Sequence, residues 1–515
     1  MFQILYVSSR SVTIELLNHE PFYSPKPYSV FLNGKIVRKN MKTNVCSLFH
    51  LLPNTEYQIQ IDDEKISFNT TSESSTADVR RLGACGDGIH DDTITLQSII
   101  FSCPKHGRIF FPKGTYLSGP LFLKSNITIE LDKDAILLGD PEGSHYPILP
   151  ARAGVDAQEN DELSSWEGVP NPTYASLITG IQVENVHIIG EGVIDANAQH
   201  GDWWIRHKEK KAGAYRAKGL FLSRCSDIHL QGITIKNTPS WNLHPYLSDY
   251  IDVIDVRLKS PKNSPNTDGC NPESCRNVRI IGVQFSVGDD CIAIKSGRVH
   301  FDRQDFPPCE AITIRNCHMA YGHGGVVLGS EMSGGIRDLD VRQCFFEHTD
   351  RGLRIKTRRG RGKQAIIDRI VFEDIRMDNV STPLVMNMFY YCDEDGKTEY
   401  VYSKARLPVD DRTPYLGSFT FRRINCTNVH AAAGFFYGLP EQPIGRIELS
   451  QVHFSYHPQA KAALPAMMSF LDPMRKAGLI FHEVSEVLLN DVQIDHPVGE
   501  PVELVHVEKF TRRII

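Results

Sequence analysis

Six side chains set the chemistry this sequence can do: Asp268, Asp289, Asp290, His323, Arg354 and Lys356. Crowded carboxylates push one another's pKa values apart, so one can hold a proton while others accept one. Hydrolysis of a glycosidic bond needs that division of labour. Arg354 and Lys356 stand two apart, so on a strand both face the same way and can bind an anionic group. The set points to hydrolysis of an acidic polysaccharide. Each member alone has a plainer reading. Asn-Thr-Asp-Gly at 266–269 is a turn signal, Asp-Asp pairs are commonly solvated, His323 sits between two glycines, and RIKTRRGRGK at 354–363 reads as a solvated basic run. Their order along a repeat decides between the two.

That repeat is a frame of four apolar positions spaced 0, +2, +5 and +7. It starts at Ile228, Ile251, Val278, Ile312, Leu339, Ile370, Phe419, Ile447 and Val487, in steps of 23 to 49 residues. Spacing by two marks one face of a strand, and the break to +5 marks a turn onto a second strand. One coil of this size cannot bury its apolar face, whereas stacked coils can. The frame therefore predicts an all-β chain built on a right-handed parallel β-helix. Variable steps argue against a leucine-rich repeat, and a frame kept this long argues against a sandwich. Asp289 and Asp290 fall 11 and 12 residues after Val278, and His323 falls 11 after Ile312. Asp268 falls 17 after Ile251, and Arg354 and Lys356 fall 15 and 17 after Leu339. Coils stack about 4.8 Å apart, so these offsets predict one ladder on one face.

Residues 1–76 read as a separate small β-sandwich, with strands at VTIELL 12–17, YSVFLN 28–33 and EYQIQI 56–61. LPNTEY at 52–57 resembles the tyrosine corner of fibronectin type III domains, in which a Tyr hydroxyl bonds nearby backbone. NTTSESSTAD at 69–78 reads as a linker to a second domain, 77–515, and the first module as a spacer or docking unit without chemistry. A net charge of -6 on 515 residues gives no reason to expect a nucleic-acid partner, and no 18-residue apolar run suggests a membrane span. Twelve cysteines without a CxxC read as buried free thiols. The first residues carry no secretion signal, so a complete sequence implies a cytoplasmic enzyme and a trimmed one a secreted enzyme.

PNTDGCNPESCR at 265–276, GDDCIAIKSG at 288–297, GHGGVVLGSEMSGG at 322–335 and RGLRIKT at 351–357 together resemble the polygalacturonases of glycoside hydrolase family 28. Further stretches extend the likeness over about 80–500, with a departure at YRAKG 215–219, where the family commonly has Arg-Pro. The resemblance implies inverting hydrolysis of α-1,4-galacturonosyl bonds in pectic galacturonides, with no metal and no cofactor. Asp289 would be the general acid, Asp268 and Asp290 would hold and deprotonate the attacking water, and His323 would tune their charge. Arg354 and Lys356 would bind the galacturonate carboxylate, with Asn266 and Tyr390 as further substrate contacts. Long insertions at 152–180 and 390–415, with the fibronectin-like front module, resemble the exo-acting branch, which would release mono- or digalacturonate from non-reducing ends. The rival readings are an endo enzyme, a rhamnogalacturonan or xylogalacturonan hydrolase, a Ca²⁺-dependent pectate lyase, and a non-catalytic glycan-binding β-helix.

Overall fold

The apolar frame of the sequence is the register of the fold. In the computed structural model, which describes residues 1–153, 162–205, 207–299, 306–392 and 394–513, Ile228 pairs with Ile251, and Ile251 with Val278. The ladder continues through Ile312, Leu339, Ile370, Phe419, Ile447 and Val487, each paired with the next. The +7 positions form a second ladder, Ile235–Leu258–Phe285–Met319–Phe346. All these strands are parallel, and their inward side chains form one core running from Val79 to Leu489. The fold is a parallel β-helix.

Each central coil adds a third strand that the frame does not mark. Leu243–Tyr246, Ile292–Ile294, Val326–Gly329, Arg351–Lys356 and Thr382–Asn387 stack as this third sheet. Ile292, Val326 and Leu353 stand in register and point into the core. By alternation, Ala293, Lys295, Val327, Arg354 and Lys356 form its outer face.

Coils also extend further toward the N-terminus than the frame predicts. Ile127 pairs with Val186, and Val186 with Ile228. There the inward positions of the second strand, Ala135 and Leu137, lie at +8 and +10 after Ile127, because the turn holds three more residues.

Residues 2–69 form two antiparallel sheets, one of three strands and one of four, around a separate core of Val12, Ile14, Val30 and Ile59. The Tyr57 hydroxyl accepts the Leu52 N–H at 2.9 Å, the corner bond expected from LPNTEY. The module is docked along the turn between first and second strands of the helix. Buried Glu15 accepts from Arg315 Nε at 2.7 Å and from Asn316 Nδ2 at 2.7 Å. A Cβ on Gly282 would come within 2.7 Å of the Val45 side chain, so the backbone of the helix and the module touch there.

The expected linker at 69–78 is instead ordered and packed. Thr70 is buried and bonds Leu52 O, Glu73 pairs with Arg10, and Thr76–Asp78 is already a strand of the large sheet, beside Gly107–Phe111. Thr70, Glu73, Ser74 and Thr76 hold the segment by side-chain hydrogen bonds, while most of its residues stay exposed. All twelve cysteines are free thiols, ten of them buried.

Candidate active site

Every residue expected at the site lines one cleft of about 250 Å³ on the third sheet: Asn266, Asp268, Asp289, Asp290, His323, Arg354, Lys356 and Tyr390. Their placement follows from the register. Cys270 pairs with Ile292, and Ile292 with Val326. Asp268 and Asp290 each lie two residues before their rung, so they share a column. Asp289 and His323 each lie three before, so they share the next. This corrects the sequence offsets for Asp268, which count it level with Lys356. Extra residues in the turn preceding it carry it back beside Asp290.

The electrostatics differ sharply within the trio. Asp290 is buried, which alone would raise its pKa. Lys356 Nζ at 2.7 Å and Arg354 at 3.3 Å outweigh burial and pull it down to about 2. Asp268 is equally buried, faces Asp289 and Asp290, and receives one neutral bond, from Asn271 Nδ2 at 2.9 Å. Burial first, and its two anionic neighbours second, push it up to about 8, so it carries a proton at neutral pH. His323 Nδ1 lies 3.2 Å from Asp289 Oδ1, and this hydrogen bond raises the imidazole to about 9. One anion held by two cations, one carboxyl that keeps its proton and one carboxyl beside an imidazolium make an acid/base site.

Other groups in the cleft escaped the sequence reading. Lys295 stands one column with Lys356 and pairs with Glu331 at 2.8 Å. Its signal was present, for it lies 17 residues after Val278 just as Lys356 lies 17 after Leu339. Arg216 donates to Asn266 Oδ1 at 2.6 Å and so orients it. Glu167, Lys208, Trp241 and Met467 also line it and come from insertions or earlier coils, which no repeat offset reaches. Tyr390 is buried against the Lys356 ammonium, 5.7 Å from its ring centre, and burial raises its hydroxyl pKa well above normal.

The basic run at 354–363 divides. Only Arg354 and Lys356 face the cleft. Arg358 pairs with Asp395 at 2.8 Å and Arg359 with Glu441 at 2.5 Å, both guanidinium groups fully buried. They bind the 390–415 insertion to the coil instead of binding ligand, which corrects the solvated-run reading.

Insertions roof the floor on both sides of the trio. Toward the N-terminus, His244 and Glu273 are outer-face residues, yet both are buried beneath the hairpin of Ser165–Trp166 and Val169–Pro170. Ser165 Oγ donates to Glu273 at 3.1 Å, and Lys218 Nζ donates to Ser165 O at 2.7 Å. Toward the C-terminus, Asn387 Nδ2 donates to Met467 O at 2.9 Å, Arg351 donates to Leu464 O and Pro465 O, and Tyr390 bridges to Met468. Residues 154–161 of the 152–180 insertion lie outside the described residues.

The chain is similar to known proteins over most of its length. Residues 150–409, just over half of the chain, match the model of Glycosyl hydrolases family 28. A Vitis vinifera protein named "Probable polygalacturonase" is 32% identical over 392 residues, covering 74% of each chain. The exo-poly-alpha-D-galacturonosidase of Dickeya chrysanthemi is 24% identical over 470 residues, covering 78% of this chain and 74% of its own. In fold, the family 28 exopolygalacturonase of Yersinia enterocolitica matches 99% of both chains with a TM-score of 0.68 at 20% identity. An exopolygalacturonase from Thermotoga maritima matches 82% of this chain and 92% of its own, with a TM-score of 0.63 at 24% identity. From the family match and the 32% relative alike, the chain belongs to glycosyl hydrolase family 28.

Proposed function

We propose that this hydrolase is an exo-acting polygalacturonase, cleaving α-1,4-galacturonosyl bonds with inversion and releasing mono- or digalacturonate from non-reducing ends. The observation that carries the exo reading is the roofed floor. Among the described residues, the third sheet lines the cleft over the few coils from Trp241 to Tyr390, with the 165–170 hairpin over one side and 457–476 over the other. Such a pocket takes a chain end, whereas an endo enzyme needs a groove through which the polymer passes. The relatives named as exo-acting enzymes support the same reading.

The chemistry follows from the charges. Asp289 lies at the cleft beside Asp268, whose carboxyl brings one proton into the trio, and beside His323, whose imidazolium holds the Asp289 carboxyl in place. The proton held by Asp268 passes to Asp289, which gives it to the leaving glycosidic oxygen as the C–O bond breaks. Water attacks the anomeric carbon from the opposite face, and Asp290 takes its proton while Asp268 holds the water by a hydrogen bond, so the product anomer is inverted. At a pKa of about 2, Asp290 is a weak base in the free enzyme. A galacturonate carboxylate arriving at Arg354 and Lys356 competes for both cations, which raises Asp290 toward useful basicity. The acidic sugar thus switches on the base that its own cleavage requires. Asn266 and Tyr390 flank the ring on either side of this centre.

Products followed over time on polygalacturonate, with the released anomer identified by NMR, test the reading. Mono- or digalacturonate from the first minutes, initially in the inverted β form, is expected. An early ladder of intermediate oligomers would make the enzyme endo-acting. An unsaturated product absorbing in the ultraviolet would make it a lyase.

A further inference from the structure

The 165–170 hairpin is built to hold its tip still. Trp166 pairs with Val169, leaving Glu167 and Gly168 as a two-residue turn, both with positive φ, +48° and +78°. Trp166 lies between Tyr215, stacked at 4.9 Å, and Trp241, stacked at 6.1 Å. Lys218 and Glu273 grip Ser165 from beneath. At the turn, Gly168 O accepts the Arg298 N–H at 2.8 Å, and a Cβ on Gly168 would meet Glu331 Cβ at 2.8 Å, so only glycine fits. Aromatic stacking, buried charge and backbone contact all fix one short turn. What that turn delivers to the cleft is the Glu167 side chain, which lines it with Lys208, Trp241 and Asn266.

A carboxylate is an odd group to hold rigidly in a pocket for polyanions. It repels uronate carboxylates, but it accepts hydrogen bonds from sugar hydroxyls strongly, since charge-assisted bonds are about twice as strong as neutral ones. A chain end differs from a chain interior in this respect. The non-reducing terminal unit ends in a free hydroxyl at C4, where an interior unit continues into another uronate. We propose that Glu167 is the chain-end reader of this enzyme, accepting a hydrogen bond from the terminal C4 hydroxyl and rejecting the further uronate that an unbroken chain would bring there. This rests on the exo-polygalacturonase reading above and names the group that enforces it. Specificity then comes from repulsion of the wrong substrate as much as from attraction of the right one. Arg216, gripping Asn266 and within electrostatic reach of Glu167, fixes the opposite side of the same subsite.

The test compares kcat/KM on trigalacturonate with kcat/KM on the same trimer lacking the terminal C4 hydroxyl, for wild type, Glu167→Gln and Glu167→Ala. A site that hydrogen-bonds a substrate hydroxyl discriminates against its loss. Wild type is expected to prefer the hydroxylated trimer by at least about 10-fold, on the scale of one hydrogen bond to a charged group. Glu167→Ala should abolish that ratio, and Glu167→Gln, which keeps shape and an acceptor but no charge, should leave part of it. Both variants should release longer products from polygalacturonate than wild type does. Equal ratios in all three proteins with unchanged products would overturn the inference while leaving the exo reading intact. A wild type that hydrolyses no galacturonide would instead overturn the reading beneath it.

Discussion

One face of one sheet behaves in two ways along this molecule. Glu273 and Lys295 are paired in register, and Gly329 and Lys356 continue the same column. Under the hairpin the column is dry. Glu273 is 1% exposed and Lys218 beside it is fully buried, and loss of hydration pushes Glu273 up to about 7 and Lys218 down to about 7. In the cleft, one coil on, Asp290 is as buried but meets two cations, and it falls to about 2. The difference is how close the opposite charges stand, not burial itself. Where the cations act from a distance, as Lys295 and Lys218 do on Glu273, burial wins and the group tends to neutrality, good for gripping a hairpin. Where a carboxylate has two partners, the pair stays ionised until a competing anion arrives, good for chemistry.

The sharpest way to break that contrast is to remove the proton donor in the cleft. Asp289→Asn should bind oligogalacturonide like wild type but lose at least about 10²-fold in kcat, the scale of general acid catalysis. Unchanged kcat would take Asp289 out of its role. Next in size is Lys356→Met, which leaves Asp290 with Arg354 as its remaining cation and strips the pocket of one ligand for the galacturonate carboxylate. A charge-assisted hydrogen bond contributes about 1.5–3 kcal/mol, so kcat/KM should fall about 10- to 100-fold. KM should rise with it, since the cation binds substrate as well as tuning the base. A normal KM with a depressed kcat would mean that Lys356 serves Asp290 alone.

How much of this was legible follows the repeat. The core ladder from Ile228 to Val487 could be read because every coil there keeps the same short turn between its first two strands. The coils starting at Ile127 and Val186 escaped because their turns hold three more residues and one more residue respectively, which moves Leu137 to +10 and its partner Ile194 to +8. Asp289 and His323 were legible as neighbours because turn length is conserved between their coils, whereas Asp268 was misplaced along the column by a longer turn. Trp166, Glu167 and Lys208 were not legible at all. They sit on insertions whose position is set by long-range packing against Trp241, Glu273 and Glu331, and no local period encodes that. The basic run failed for a different reason: composition cannot tell a guanidinium that faces a cleft from one that pins an insertion, as Arg359 does through Glu441.

The smallest effect on rate, and the one that isolates the roofed half, belongs to Glu273→Gln. A carboxyl whose folded pKa is raised to about 7 from a reference near 4.5 binds its proton more tightly when folded. Its contribution to stability is therefore complete below about pH 4.5, declines as pH rises toward 7, and is gone above. Lys218 runs the other way in a higher window. Lowered to about 7, it favours the folded state fully above its unfolded pKa of about 10.4, and that contribution is lost as pH falls toward 7. Between pH 4.5 and 7 Glu273 and Asp268 both contribute to the slope, since Asp268 is raised to about 8 by burial and by Asp289, while His187 and His244, lowered by burial, act in the opposite sense. Urea midpoints measured across that window should flatten in Glu273→Gln by at most about 1.4 kcal/mol per pH unit, the linkage limit for one titrating group. They should flatten further in the double variant with Asp268→Asn, and the m-value should stay constant. Flattening by Asp268→Asn alone, with Glu273→Gln indistinguishable from wild type, would mean that Glu273 is ionised beneath the hairpin and that the two halves of the column hold charge in the same way.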